Sequence, residues 1–394
     1  MSNQIALNPH SFDENLFSSL EDVTGVEPEE ISSEKVIEEP FDPRLIRVET
    51  KPFNIHLLLE RIKYGELNLA PSFQRKGGIW KESAQSRLVE SLLIRIPLPA
   101  FYLDATDDEK WQVVDGLQRL TALKRFVLDK ELKLRGLEFL TDLHDKTFDE
   151  LPRNFQRRIV EEQVTVYLIE KGTPPEVKFN IFRRINTGGL PLSAQEIRHA
   201  LNQGPVTEYL AQLADSQEFK SATNYGIRDD RMADRECVLR YFAFLLTPYI
   251  DYKSKNFDSF LNDTMATLNA MSNQERHHLS CQFKRVMIAA SNIFGERAFR
   301  KQYLDSTRLY PINKPLFESW SVNLAKLSEK ELLLLEKCKE IIAGEFFNLM
   351  SNSEFENSIS FSTGLVSNIH IRFNTIERLI QGVLHDLLTS PTKF

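Results

Sequence analysis

The spacing of apolar residues separates the chain into a mixed half and a helical half. Between residues 53 and 200, short helical and strand-like runs alternate, and ordered structure is predicted to begin near Phe53. Apolar residues recur at helical spacing in the segments 53–62, 80–95, 117–128, 148–160 and 175–185. Runs typical of strands occupy residues 100–104, 111–115 and 164–169. The pattern predicts an α+β N-terminal domain.

Beyond about residue 205 the periodicity is almost entirely helical. Long apolar repeats with little strand-like alternation occur over residues 238–246, 287–294 and 332–342. This half is therefore predicted to be an all-α C-terminal domain, covering residues 211–394. The α+β domain that precedes it is assigned to residues 46–210.

The most informative local pattern joins a strand to a helix through a glycine. A buried strand ends at Asp115, Gly116 permits a tight turn, and Gln118 and Arg119 stand in the first turn of the next helix. Helix N-termini bind anions, and an arginine there adds a bidentate donor for phosphate. The pattern is equally compatible with Asp115 capping the helix and Arg119 pairing with a surface acid.

Two further basic motifs flank this junction. Gln74 and Arg75 precede two glycines in a loop before a helix, which predicts either a phosphate-contacting loop or a solvated basic one. Arg184 and Asn186 lie near the end of the predicted helix over residues 175–185. The helix dipole alone would explain that arginine.

Charge is distributed unevenly along the 394 residues. The chain carries a net charge of −7, but residues 1–40 hold ten acidic residues and one lysine, which leaves +2 on the remainder. Residues 1–45 are therefore predicted to form an acidic tail that is disordered or a loosely attached arm. The nearly neutral body removes the objection that the net charge would raise against a polyanionic partner. The tail is hypothesised to compete with phosphate or DNA for the arginines of the motifs.

Cysteines and hydropathy suggest a cytoplasmic protein. Cys237, Cys281 and Cys338 are widely spaced and predict free, buried thiols in a reducing compartment. No apolar run approaches the roughly 18 residues of a membrane span, and the polar start does not resemble a signal peptide.

The motifs, taken in order, resemble the GmrSD-type restriction endonuclease N-terminal domain family. The DGQQR motif of that family appears here as Asp115-Gly116-Leu117-Gln118-Arg119, with leucine in place of the first glutamine. Upstream, Gln74-Arg75, Trp80 and the turn at residues 96–99 match the opening segment of the family. Downstream, residues 182–200 match its second motif block.

The resemblance implies a ParB/sulfiredoxin-like fold, with a small mixed sheet and helices, that binds a nucleoside triphosphate and Mg²⁺. In several relatives, hydrolysis is coupled to restriction of modified phage DNA. The implied catalytic residues are Asp115, Gln118 and Arg119: Asp115 would position Mg²⁺ or the attacking water, and the other two would hold the phosphates. The implied phosphate-binding residues are Gln74, Arg75, Gly116, Arg184 and Asn186, with Arg75 contacting the γ-phosphate or DNA.

We therefore expect an NTP-binding and hydrolysing protein of the restriction or anti-phage defence type, acting with DNA, an effector protein or further copies of itself. Two alternatives stay open from the sequence. One is a ParB-like nuclease that nicks DNA. The other is a non-catalytic module that binds nucleotide or DNA and recruits an effector through its helical half.

Overall fold

A computed structural model describes residues 24–29, 47–69, 80–185, 192–228, 231–253, 256–303 and 308–389. The chain separates into two compact units. The first comprises residues 39–201, and the second comprises residues 202–394 together with the N-terminal segment up to residue 38.

The N-terminal unit is built on a five-stranded mixed sheet, as the predicted fold class requires. The strand order is β1-β5-β3-β4-β2, with antiparallel pairs β1/β5 and β3/β4 and parallel pairs β5/β3 and β2/β4. The strands are β1 (Val48–Asn54), β2 (Leu67–Asn68), β3 (Phe101–Ala105), β4 (Trp111–Asp115) and β5 (Gln163–Glu170). The sequence pattern did not predict β1 and β2, which lie at the two edges and present few buried side chains.

Helices cover both faces of this sheet. They are α1 (Ile55–Lys63), α2 (Glu82–Leu93), α3 (Leu117–Leu123), α4 (Arg153–Glu161), α5 (Pro175–Ile185) and α6 (Ala194–Leu201). Alternate strand residues point to opposite faces. Phe101 and Leu103 therefore enter the core shared with α1 to α4, while Val114 and Ile169 enter a second, smaller core with α5 and α6.

Local signals placed several of these helices correctly. Helix α5 has the predicted bounds, and the Ser193/Glu196 capping box is present at the start of α6 with bonds of 2.6 and 3.1 Å. The helix predicted over residues 117–128 is α-helical only to Leu123 and continues as one π-helical turn, Lys124–Leu128. The helix predicted from residue 148 begins at Arg153.

Glu90 on α2 is expected to stabilise this unit at neutral pH. Its carboxylate accepts hydrogen bonds of 2.7–3.1 Å from the backbone N–H groups of Glu138, Phe139 and Leu140. Burial raises the pKa of Glu90, but these bonds outweigh burial, and the pKa lies below its ordinary value of 4.5. Glu90→Gln should lower the free energy of unfolding by about 1–3 kcal/mol near pH 7.

The pH dependence of this difference follows from the direction of the shift. A lowered pKa contributes stability above the unfolded pKa, and that stability is lost as the pH falls through the folded value. Urea denaturation of both proteins should therefore show the difference shrinking on acidification. Glu138→Gln is the matched control, because its exposed pair with Arg87 at 3.2 Å is worth less than about 1 kcal/mol. Equal losses from both substitutions would contradict the assignment.

The second unit is helical, which confirms the predicted C-terminal fold. Its helices are α7 (Pro205–Ala214), α8 (Gln217–Ala222), α9 (Ala233–Leu246), α10 (Phe257–Ala270), α11 (Asn273–Phe294), α12 (Lys314–Ala325), α13 (Glu329–Lys337), α14 (Lys339–Leu349), α15 (Ser353–Ser360) and α16 (Val366–Thr389). Aromatic residues dominate the core between α9, α11 and α12, including Phe242, Phe283, Phe317 and Trp320. Across the described segments, no helix is both long and apolar enough to cross a membrane.

Residues 24–29 belong to the tail predicted to be disordered or loosely attached, yet they are ordered against the helical unit. Val26 is 3% exposed, joins the core of that unit and forms a parallel bridge with Ile312. Glu29 binds Arg240. Glu29 therefore pairs with Arg240, which lies outside the motifs, and not with the motif arginines that the hypothesis of a competing tail named. Both contacts involve residues more than 200 positions away, so tail composition could not reveal them.

The cysteine prediction holds only in part. All three thiols are free, but Cys281 is exposed and Cys338 is half-buried. Cys237 is buried in the core of the helical unit, and burial raises its pKa. Apolar sequence context therefore predicted burial correctly at one position of three.

Candidate functional site

Gly116 forms the turn between β4 and α3. Its backbone has φ +99° and ψ 8°, a left-handed conformation that side chains disfavour. A Cβ at this position would lie 2.4 Å from Cδ1 of Phe101, so the turn leaves no space for a side chain. The junction therefore requires glycine for two separate reasons.

The N-terminus of α3, which follows this glycine, has no side-chain cap among the described residues, so Asp115 does not have the capping role that the sequence allowed. The first-turn N–H groups of a helix lack intrahelical partners and carry the positive end of its dipole. The end of β4 thus presents backbone donors next to a carboxylate.

Arg119 is buried and held by its own domain. Its guanidinium donates to the backbone oxygen of Pro99, to that of Ala100 at 3.2 Å and to Oδ2 of Asp115 at 2.8 Å. It also lies over the Phe101 ring, 4.5 Å from the centroid. Burial lowers the pKa of Arg119, and Asp115 opposes that shift. The side chain therefore clamps the turn before β3 to the start of α3.

Gln118 connects the junction to the segment that follows the first basic motif. Its Oε1 accepts a hydrogen bond from the backbone N–H of Trp80 at 3.2 Å. The backbone oxygen of Trp80 in turn accepts from Nε2 of buried Gln85 at 2.7 Å. Oε1 of Gln85 accepts from Arg125 at 2.9 Å. Residues 38 positions apart in the sequence thus meet at the start of α3.

An aromatic pair, which none of the sequence motifs includes, lies on the sheet beside Asp115. Tyr102 is the cross-strand partner of Asp115, and its ring stacks on that of Tyr167 with centroids 4.7 Å apart and planes at 17°. Both rings are half-buried. Burial, with smaller contributions from Tyr167 and Asp115, raises the pKa of Tyr102. The only sign of this pair in the sequence was that two of the predicted strands each contain a tyrosine.

Of the remaining predicted site residues, Arg184 is the one that lies within the described ranges. Arg184 is exposed near the end of α5, two positions after Phe182, which shares the smaller core with Val114 of β4. Gln74, Arg75 and Asn186 lie outside the described residues. Lys178 of α5, which the sequence analysis did not single out, binds Asp104 of β3 at 3.1 Å.

Asp115 alone does not make an all-protein metal site. Within the described ranges, no group of three or more His, Cys, Asp or Glu side chains is placed to hold a metal ion. One oxygen of Asp115 is paired with Arg119. Mg²⁺ in nucleotide sites typically uses one or two carboxylates, with phosphate oxygens and water completing the shell. Asp115 fits that limited role.

The fold and the junction define the N-terminal unit as a mixed α+β domain with a helix N-terminus beside a carboxylate. Residues 55–202 match the model of a protein family described as GmrSD restriction endonuclease, N-terminal domain. The match confirms, over this segment, the resemblance drawn from the motifs, and it points to a restriction or defence-type nuclease family. No curated protein matches the chain.

Proposed function

We propose that the N-terminal domain binds a nucleoside triphosphate at the β4–α3 junction and hydrolyses it with Mg²⁺, as part of a cytoplasmic restriction or anti-phage system that acts with DNA. The observation that carries this proposal is the N-terminus of α3 without a side-chain cap from the described residues, next to the partly exposed carboxylate of Asp115. Backbone N–H groups at such a position suit phosphate oxygens. The family match over residues 55–202 supports the connection to DNA restriction.

Each residue of the junction would have a separate role in binding the nucleotide. The α3 N–H groups would receive the phosphates, and Gln118 would orient them. Arg119 would act through Asp115 and the turn at residues 99–100, because its guanidinium is already bound to both. Gln74, Arg75, Arg184 and Asn186 would supply further phosphate contacts. The half-buried Tyr102–Tyr167 pair offers an aromatic surface beside Asp115 that suits a base.

Mg²⁺ would be held by Asp115 and would neutralise charge on the phosphates. The ion pair with Arg119 fixes the orientation of the carboxylate. The side chain of Asp115 is 36% exposed, so ligands can reach it. No side chain in this arrangement needs to form a covalent intermediate, because positioning and charge stabilisation suffice for phosphoryl transfer.

A non-catalytic binding module is the second candidate. Leu117 supplies no polar group in the first turn of α3, where the family motif has glutamine. Such a site could hold phosphates through backbone donors and lack a group to orient the attacking water.

A nucleotide panel tests the proposal. Purified protein with Mg²⁺ should release phosphate from at least one nucleoside triphosphate, and measurements with and without DNA show whether DNA stimulates release. Gln118→Ala should reduce release roughly 100-fold, as expected for one positioned polar contact. Gln212→Ala, on the surface of α7, is the matched control and should leave release unchanged.

The outcomes separate the candidates. Nucleotide binding without turnover would favour the non-catalytic module. Relaxation of supercoiled plasmid without nucleotide would favour a nickase. Neither binding nor turnover with any nucleotide would overturn the proposal.

A further inference from the structure

The ordered tail segment is bound to the helical unit through its backbone. The N–H of Glu27 donates to the oxygen of Ile312 at 2.8 Å, and the N–H of Ile312 donates to the oxygen of Gly25 at 3.1 Å. The N–H of Arg228 donates to the oxygen of Thr24 at 2.9 Å. Addition of an extended segment to an exposed backbone edge is a common mode of peptide recognition. Val26 is the apolar anchor of this contact.

Gly25 makes the backbone contact selective. Its φ is +70°, and a Cβ there would lie 1.7 Å from the backbone oxygen of Gly226. A side chain at position 25 would therefore prevent the segment from seating. The contact requires a small residue directly before the apolar anchor.

Two carboxylate-binding positions follow the anchor. Glu29 accepts from both terminal nitrogens of Arg240, at 2.9 Å for Nη1, and from Oγ1 of Thr363 at 2.5 Å; Nζ of Lys314 is 3.8 Å away. Glu27 accepts from Nζ of Lys301 at 2.6 Å and Nδ2 of Asn313 at 3.0 Å. The donors come from α9, the start of α12 and two loops. The bidentate arginine makes the first position geometrically specific.

The helical unit holds an excess of positive charge at this place. The ion pairs at this place contain Arg240, Lys314 and Arg372, which are connected through shared carboxylates, and Lys301, which pairs separately with Glu27. In the described part of the helical unit, the carboxylates seen paired with these cations are those of Glu236 and Glu318. The two carboxylates of the tail complete the balance. Because Arg240 and Arg372 are almost fully buried, solvent cannot replace that compensation cheaply.

From this geometry we propose that the helical unit carries a receptor site for an acidic peptide of the type Gly-Val-Glu-Pro-Glu, and that residues 25–29 of the chain's own tail are its tethered, exchangeable ligand. The segment exchanges with another acidic peptide rather than with solvent, because only a second pair of carboxylates can replace the charges that it brings to the buried arginine. Tethering keeps the site filled, since a linked ligand acts at an effective concentration in the millimolar range. A partner that presents the same peptide chemistry would compete with the tail.

Peptide binding to the full-length protein tests this proposal. A fluorescein-labelled peptide of residues 22–29 is titrated with the wild-type protein and with the double variant Glu27→Gln/Glu29→Gln, and anisotropy is recorded at low salt. The variant tail no longer supplies the carboxylates, so the variant should bind the labelled peptide at least about tenfold more tightly than the wild type. A peptide with both glutamates replaced by glutamine should not bind.

Two controls keep the test specific. The variant Glu14→Gln/Glu21→Gln removes the same charge from tail positions outside residues 25–29 and should behave as the wild type. If the double variant does not fold, Glu27→Gln alone retains the Arg240 contact, and its tail should be displaced at lower peptide concentration than the wild-type tail. Equal affinity of the wild type and the folded variant, or no binding to the variant, would overturn the proposal.

Discussion

Arg372→Leu is expected to lower the free energy of unfolding of the helical unit by about 3–5 kcal/mol, because the buried carboxylate of Glu318 then keeps only its longer pair with Arg240, at 3.5 Å. Arg372 and Glu318 are both fully buried. Nε and Nη2 of the arginine both donate to Oε1 of Glu318, with a distance of 3.0 Å for Nε. Nη1 donates to the backbone oxygens of Ser358 and Thr363 at 3.2 and 2.7 Å. Chemical denaturation monitored by circular dichroism measures the loss.

A double variant distinguishes loss of the pair from loss of packing. Arg372→Leu/Glu318→Leu removes both charges and should recover much of the stability, because replacing a buried pair with apolar side chains is often close to neutral. Lys284→Leu, which breaks a partly exposed pair with Glu218, should cost less than about 1 kcal/mol. A double variant no more stable than Arg372→Leu would show that the arginine acts through its contacts with Ser358 and Thr363.

Gly116→Ala is expected to abolish nucleotide binding at the proposed site and to destabilise the N-terminal domain by about 1–3 kcal/mol. The new Cβ would meet the Phe101 ring at 2.4 Å and approach Nη2 of Arg119 at 3.3 Å. The turn would have to move, and with it Asp115 and the N-terminus of α3. Calorimetric titration with nucleotide measures binding, and thermal unfolding measures stability.

Gly65→Ala is the matched control for this experiment. Gly65 also has a positive φ, +75°, but a Cβ there would meet nothing within 4 Å. This variant carries the backbone strain without the steric clash, so it should lose about 1 kcal/mol and bind nucleotide as the wild type does. Equal nucleotide affinity of both variants would contradict a phosphate site at the junction. If Gly116→Ala loses stability but the wild type binds no nucleotide, the turn geometry is confirmed and the proposed function is contradicted.

Much of the fold followed from short-range signals. Helix α5 and the capping box of α6 were predicted correctly because their determinants lie within one or two turns of the chain. The strands β3 and β4 were found from apolar runs with polar flanks. By contrast, β1 is exposed along most of its length, and its pairing partner β5 lies more than a hundred residues away. Such a strand has almost no signature of its own.

The candidate site divides in the same way. The order of residues at 115–119 predicted a strand–glycine–helix junction, and Gly116 occupies the conformation that such a turn needs. The sequence could not show that Arg119 turns towards the backbone oxygens of Pro99 and Ala100. These residues lie before β3, 20 and 19 positions away, and meet Arg119 only in the folded sheet. Nor could it show the stacked Tyr102–Tyr167 pair, which exists only once β3 and β5 are paired.

The sequence by itself determined the fold class, the helical C-terminal half, the junction motif and the family resemblance of residues 55–202, since periodicity, turn residues and motif order are local properties of the chain. The tertiary structure alone decided which charged groups meet. It turned Arg119 towards the backbone oxygens of Pro99 and Ala100 and brought Glu29 of the tail to Arg240, across 211 positions of sequence. Ion pairs between distant residues depend on how the helices pack against one another, and the sequence around a charged residue does not reveal its distant partner.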